Sequence, residues 1–474
     1  MRFHTSILTA VCAVGIFGAG SAAAHQHFQS RSRDAGRTPP SDLITTAIIL
    51  NVPNLPALQA FVAETSTPGS RYYHQFLTVS QFRARFAPSN QAVQQFVRYL
   101  QSFGIRVNAI YPDNLDITAT GTAAEFNAAF ATELNDYTRN GQSFHRPAWK
   151  FVLPSGFSSL VLAVPGLNSE PGEMRPKLVH LAPGASANGA APAVTWPKHG
   201  TATGQPGDYT VGDVANFYDV NPLYQEGVQG RGQTIGIMTF ANFNESDAYS
   251  YWKDIGLNVR QNRISKVLVD GGAQVAVGVG DNETSTDVEQ SGGIAPGANV
   301  RVYVAPNGLN GALDVYYTVV SENLADTVSI SWGAPEELYF AALNDGVDYT
   351  DQLQAIDQAL LEGAAQGQSF FASAGDDGAY DVNDAGIAPF PQYSVQLTVD
   401  EPADDPYITA AGGTTVATTE PAIPSAGCPA ITIRPEQVWG WGYLASDWAS
   451  CLPNLGVTAS ALAPASQLFC ISKA

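Results

Sequence analysis

Apolar and polar positions follow different periods in the two halves of the chain. Leu43–Leu50 is a run of aliphatic and β-branched residues that predicts a strand. Residues 55–64, 80–86 and 91–103 carry apolar positions three and four apart and predict helices, the last stopping at Gly104. Residues 114–120 predict a second strand. A helix over 123–134 would set Phe126 and Phe130 on one face. Strands and helices of this size predict a small α+β domain ending near residue 170.

Beyond Asp208 the pattern becomes α/β. Near-continuous apolar runs at 234–240, 264–269, 300–305, 328–332, 370–374 and 407–411 predict strands, with helical spacing between them at 247–255, 312–321 and 352–365. Apolar strands alternating with helices predict a parallel sheet covered on both faces, with ligand sites beyond the strands' C-terminal ends. The two halves are joined by an Ala-, Gly-, Pro-, Thr- and Ser-rich stretch without periodicity from 182 to 207, which predicts a flexible linker. Residues 1–24 read as an export signal: Arg2 and His4 precede an apolar run to Gly20, and Ala22-Ala23-Ala24 is a small-residue cleavage site. A buried N-terminal helix is the alternative. No later run reaches the length of a membrane span. Signal, small domain, exposed linker and large domain form the layout of a zymogen, with two domains on a spacer as the blander alternative.

Composition narrows the chemistry. Of 474 residues, 45% are hydrophobic and 14% charged, so the chain can bury large cores. Its net charge of −20, from 43 Asp+Glu against 23 Lys+Arg, argues against nucleic acid or an anionic membrane surface as partner. The 7 histidines end at His199, so the large domain has no Ser-His-Asp triad and no histidine metal site. Three of the 4 cysteines, Cys428, Cys451 and Cys470, crowd near the end, and no disulfide framework spans the fold. A metalloenzyme is disfavoured for want of clustered ligands.

Acid–base work must then fall to carboxylates. Glu283 and Asp287 are four apart in Asp281-Asn282-Glu283-Thr284-Ser285-Thr286-Asp287. If Asn282 caps a helix there, both project from one face, one turn apart. Two like charges so placed resist joint ionisation and hold a proton into the mildly acidic range, as a general base and its orienting partner would. A solvated acidic helix face is the alternative. Asp376, in Ser373-Ala374-Gly375-Asp376-Asp377-Gly378, follows a predicted strand at the ligand end of the sheet, where a neutral carboxyl can donate to an oxyanion. An ordinary Asp-Gly turn is the alternative. Ser331-Trp332-Gly333 ends another strand and would line the same cleft, unless Trp332 is simply core.

These residues, in this order, resemble the sedolisin (serine-carboxyl) peptidase family from about residue 40 to about 440. Tyr73-His74-Gln75-Phe76-Leu77-Thr78 with Phe82 and Phe86, then Leu153-Pro154 and Val164-Pro165-Gly166-Leu167, are similar to its pro-kumamolisin-type activation domain. Gly232-Gln233-Thr234-Ile235, Ala295-Pro296-Gly297-Ala298, Ser329-Ile330-Ser331-Trp332-Gly333, Ala374-Gly375-Asp376 and Ile408-Thr409-Ala410-Ala411-Gly412-Gly413-Thr414 follow in family order. The resemblance implies a subtilisin-like parallel sheet flanked by helices, preceded by a small ferredoxin-like α+β prodomain. It implies Glu283 as general base, Asp287 as the acid orienting it, and Asp376 as the protonated oxyanion donor. The implied reaction is peptide hydrolysis through an acyl-enzyme in acid, on unfolded protein or peptide substrates, with the prodomain as intramolecular inhibitor.

The sequence also departs from that pattern. The family's nucleophile lies in a Gly-Thr-Ser-x-x-x-Pro segment after the Ile408–Thr414 region, and none occurs here; Gly413-Thr414-Thr415 carries no serine. The aspartate and glycine-rich loop that would bind calcium are also missing, so no cofactor is expected in this chain. Residues 454–474 lose the resemblance, which reads as a truncated or divergent C-terminus. The organisation expected is therefore signal 1–24, prodomain 25–180, linker 181–207 and an incomplete peptidase-type domain 208–474. Such a chain would be secreted, to the periplasm or outside the cell, and inactive. A non-catalytic, secreted binding or inhibitor-like protein is the alternative.

Overall fold

A computed structural model describes residues 32–171, 174–176, 202–203, 209–275, 280–341, 346–376, 378–379, 381, 397–416, 418–420, 422, 424, 427, 429–433 and 436–438. The export signal, nearly all of the linker, the cysteines and the C-terminal tail lie outside the described residues.

The N-terminal unit is built on a four-stranded antiparallel sheet ordered Arg106–Ile110, Asp116–Thr122, Leu43–Leu50, Val161–Ala163. Leu43–Leu50 is apolar almost throughout because both its faces are covered. Ile44, Ile48 and Leu50 pack with Phe96, Leu100, Phe126 and Phe130 inside the unit. Ala47 and Ile49 point the other way, into a core shared with Tyr316, Tyr317 and Leu360 of the large unit. Helices Leu55–Ser66, Val79–Arg85, Asn90–Ser102 and Ala123–Phe130 flank the sheet, capped by Asn54, Thr78, Ser89 and Thr122 in turn.

Beyond it lies a six-stranded parallel sheet in the order Ile264–Leu268, Asn299–Val304, Thr234–Thr239, Thr327–Ile330, Ser369–Ser373, Thr409–Ala411. One face is covered by Glu245–Asp254 and Asp281–Ile294, packing Trp252 and Val288 on Ile237, Val300 and Val302. The other is covered by Leu309–Glu322 and Thr350–Gln366, with Val319 and Leu360 against the sheet's Val328 and Phe370. The mixed α/β architecture and the parallel sheet agree with the pattern of apolar runs.

Three local expectations are corrected. The helix predicted to reach Leu134 ends at Phe130, because Ala131 turns left-handed at φ 47°; Leu134 instead begins a hairpin, Leu134–Arg139 with Gln142–Pro147, around Asn140-Gly141. The strand predicted over 328–332 breaks at Ser331, and Trp332–Pro335 pairs separately with Asp400–Glu401 and Arg175–Pro176. The cap of the helix holding Glu283 is Gly280, not Asn282, which lies inside the first turn.

Candidate active site

The helix Asp281–Ile294 starts at the C-terminal end of the sheet. Its entry turn requires φ 99° at Gly280, where a Cβ would stand 2.6 Å from the Trp332 ring. Thr284 ties the first turn down: its Oγ1 lies 2.7 Å from Thr239 Oγ1 and donates to the Ala241 carbonyl at 3.0 Å. Trp332 is 4% exposed and meets Phe240 edge-on at 5.6 Å. For the indole, then, the core reading is correct.

Glu283 and Asp287 share one helix face, as their spacing predicts. The alternative of a solvated acidic face does not hold, since Glu283 is 5% exposed. Burial pushes the Glu283 carboxyl up to about 8, and the negative charge of Asp287 pushes in the same direction. Asp376 adds to that upward push, while a hydrogen bond from Ser331 opposes it. Asp287 is pushed up to about 7 by burial, again opposed by Ser331. The Ser331 hydroxyl donates to Asp287 Oδ1 at 2.7 Å. Glu283 Oε2 and Asp287 Oδ2 have no hydrogen-bond partner among the described residues. Two buried, like-charged carboxyls with spare acceptors and a shared neighbour hold protons into the neutral range.

Asp376 follows strand Ser369–Ser373 by way of Gly375 (φ 80°), and the Ala374 amide donates to the Ala411 carbonyl at 3.1 Å. Its charge is felt at Glu283, so the structure brings all three sequence-predicted residues to one region at the sheet's C-terminal end. Sequence reasoning placed Ser331 at the cleft but did not give it a partner; the break in the strand there is what turns its hydroxyl toward Asp287. Among the described residues, no three His, Cys, Asp or Glu side chains are arranged to hold a metal ion. No helix among the described residues is long and apolar enough to cross a membrane.

Residues 30–170 match the family model described as pro-kumamolisin, activation domain. Over 402 residues the chain is 30% identical to xanthomonalisin of Xanthomonas sp. (strain T-22), a match covering 78% of this chain and 45% of that protein. Kumamolisin of Bacillus sp. (strain MN-32) is 28% identical over 86% of this chain and 67% of its own length. Sedolisin of Pseudomonas sp. (strain 101) is 28% identical over 81% and 60%. The chain thus spans between about half and two thirds of these curated relatives. The solved structure of Pseudomonas sedolisin, a serine-carboxyl proteinase complexed with two molecules of pseudo-iodotyrostatin, is 25% identical over 40% of this chain and 51% of that one, with a TM-score of 0.34. The N-terminal unit thus matches a pro-kumamolisin activation domain, and the chain is similar over most of its length to peptidases of the sedolisin family.

Proposed function

We propose that the chain is a secreted, acid-acting serine-type endopeptidase precursor in organisation, with signal 1–24, prodomain 25–180, linker 181–207 and a peptidase-type domain from 208. In this reading Glu283 is the general base toward a serine hydroxyl, Asp287 orients it and shares its proton, and protonated Asp376 donates to the oxyanion of the tetrahedral intermediate. The observation that carries it is the buried Glu283–Asp287 pair, one helical turn apart, with the charge of Asp376 beside it. The sheet order of the N-terminal unit supports a ferredoxin-like prodomain, and its packing on the large domain supports intramolecular inhibition. Unfolded proteins and peptides are the substrates this reading implies.

The 474 residues contain no Gly-Thr-Ser-x-x-x-Pro segment, and a triad without its nucleophile retains only residual catalysis. The same reading therefore holds that these residues alone do not cleave peptides. That absence also favours a second reading, a non-catalytic binding or inhibitor-like protein built on the peptidase fold. The deciding experiment is incubation of the purified chain, without residues 1–24, at about pH 4. Intact mass and cleavage of an unfolded substrate are followed beside Glu283→Ala and pepstatin-treated samples. Unchanged mass and uncleaved substrate are expected. Release of the N-terminal unit, lost in Glu283→Ala, would mean that another serine serves as nucleophile and would overturn the inactivity.

A further inference from the structure

The contact between the two units holds an unusual set of acids. Asp113 and Asp116 of the small sheet are both 0% exposed. Facing them are Asp314 on Leu309–Glu322 (1% exposed), Asp270 in the turn Val269–Gly271, and Glu362 on Thr350–Gln366 (0% exposed). Among the described residues, neither carboxylate oxygen of Asp116 finds a hydrogen-bond partner, and one oxygen each of Asp113 and Glu362 is also unpaired. The partners present are mostly neutral. The Tyr111 hydroxyl donates to Asp314 Oδ1 at 2.5 Å and lies 3.1 Å from Thr318 Oγ1; Asn310 Nδ2 donates to Asp270 Oδ2 at 2.7 Å; the Leu115 amide donates to Asp113 Oδ1 at 2.8 Å; and the Gln366 amide donates to Glu362 Oε1 at 2.7 Å. Tyr317 also faces Asp113, Asp116 and Glu362. Arg83 is the cation whose charge favours ionised Asp113. His145 and Glu170 line the groove beside Asp270.

Hydrogen bonds from backbone amides of the small unit to side chains of the large one join the two units. The Ala47 amide donates to Asn310 Oδ1 at 2.7 Å and the Val52 amide to Gln358 Oε1 at 2.8 Å. Separating the units would return the carboxyls to water, where each ionises near its ordinary value. Closing them brings buried Asp113 and Asp116 against buried Asp314 and Glu362, with Arg83 nearby and Asp270 at the exposed edge of the contact.

We infer that the activation domain is seated on the large domain through a buried carboxyl cluster, centred on Asp116 where it faces Asp314, that takes up protons as the contact closes. The seat is tight in acid and loosens as the pH rises toward neutral; acid does not by itself release the domain. The sign follows from the direction in which each carboxyl is moved. Burial holds Asp113 up at about 7 against its backbone hydrogen bonds and Arg83, while burial and the neighbouring acids raise Asp116 and Glu362 and hold Asp270 up at about 7. Stability from a raised carboxyl is complete below its free value near 4 and is lost as pH climbs to its value in the closed contact. The inference rests on the seating of one unit against the other and is independent of the peptidase reading.

Hydrogen exchange on the full chain between pH 4 and pH 7, corrected for intrinsic rates, tests it. Protection of the Ala47 and Val52 amides should fall by about tenfold or more over that range, since raising the pKa of a single carboxyl by about one already changes the closing equilibrium about tenfold. Amides of strand Thr234–Thr239 and of the hairpin Leu134–Arg139 with Gln142–Pro147 serve as references and should fall less. Asp116→Asn should flatten the response, and Asp314→Asn, which keeps an acceptor for Tyr111, reports the same should the first variant fail to fold. The wild-type series alone decides the sign. Protection that is flat or rises with pH, a parallel fall in the reference amides, or an undiminished slope in a folded variant would each overturn the inference.

Discussion

Ser331 and Asp287 are joined by a 2.7 Å hydrogen bond that runs from the end of a sheet strand to the second turn of a helix. It is the direct polar tie between the sheet's C-terminal edge and the acid pair, and it favours the ionised form of Asp287 against the push of burial.

Ser331→Ala should therefore move the titration midpoint of the Glu283–Asp287 pair upward by about 1 on the pH scale, the size expected of one charge-assisted hydrogen bond. Ser331→Thr should restore it. Carboxyl chemical shifts followed against pH read this directly, and identical titrations in the wild type and the Ala variant would refute the link.

Glu283→Gln should stabilise the large domain at neutral pH. The folded-state value near 8 lies above the ordinary 4.5, so the stability due to this group is intact below about pH 4 and is lost as pH rises toward 8. The variant should gain on the order of 2–4 kcal/mol at pH 8 and almost nothing at pH 4, as measured by urea unfolding. Equal gains at both pH values would show that ionisation is not the cause.

At Gly280 an alanine would meet both a positive φ and the Trp332 ring 2.6 Å away. Gly280→Ala should cost about 2–4 kcal/mol and change tryptophan fluorescence, because the helix start must move off the indole. An unchanged melting temperature would mean the turn relaxes freely.

Gln358 bridges the two units: its Oε1 accepts from Val52, and its Nε2 donates at 2.9 Å to both the Leu50 carbonyl and the Tyr317 hydroxyl. Gln358→Leu should leave the Val52 amide and the Leu50 carbonyl buried without partners, at a cost of about 2–4 kcal/mol. Faster limited proteolysis between residues 171 and 209, with the large sheet still protected, is the expected sign. Cleavage at the wild-type rate would argue against a bridging role.

Much of the architecture was legible because it depends on local periodicity. All six strands of the large sheet lie within a residue or two of the runs that predicted them, since strands of a parallel sheet covered on both faces are apolar almost throughout. The hairpin after Ala131 was missed although Asn140-Gly141 is a strong turn signal, because the run from Ala123 to Leu134 also satisfies a helical period. The strand break at Ser331 has no local marker; it comes from the pairing of Trp332–Pro335 with segments far away in the chain.

The sequence alone determined the types of group available for chemistry: with no histidine beyond His199, acid–base work in the large domain falls to carboxyls, and the four-residue spacing of Glu283 and Asp287 puts them on one helix face. Whether those carboxyls are buried, how far their protons are held, and that Ser331 reaches one of them were decided only by the tertiary structure. Desolvation and cross-element hydrogen bonds depend on neighbours distant in sequence, and no local pattern encodes them. The same holds for Asp116 and Asp314, separated by 198 positions in the chain, whose proximity exists only once the two units close on each other.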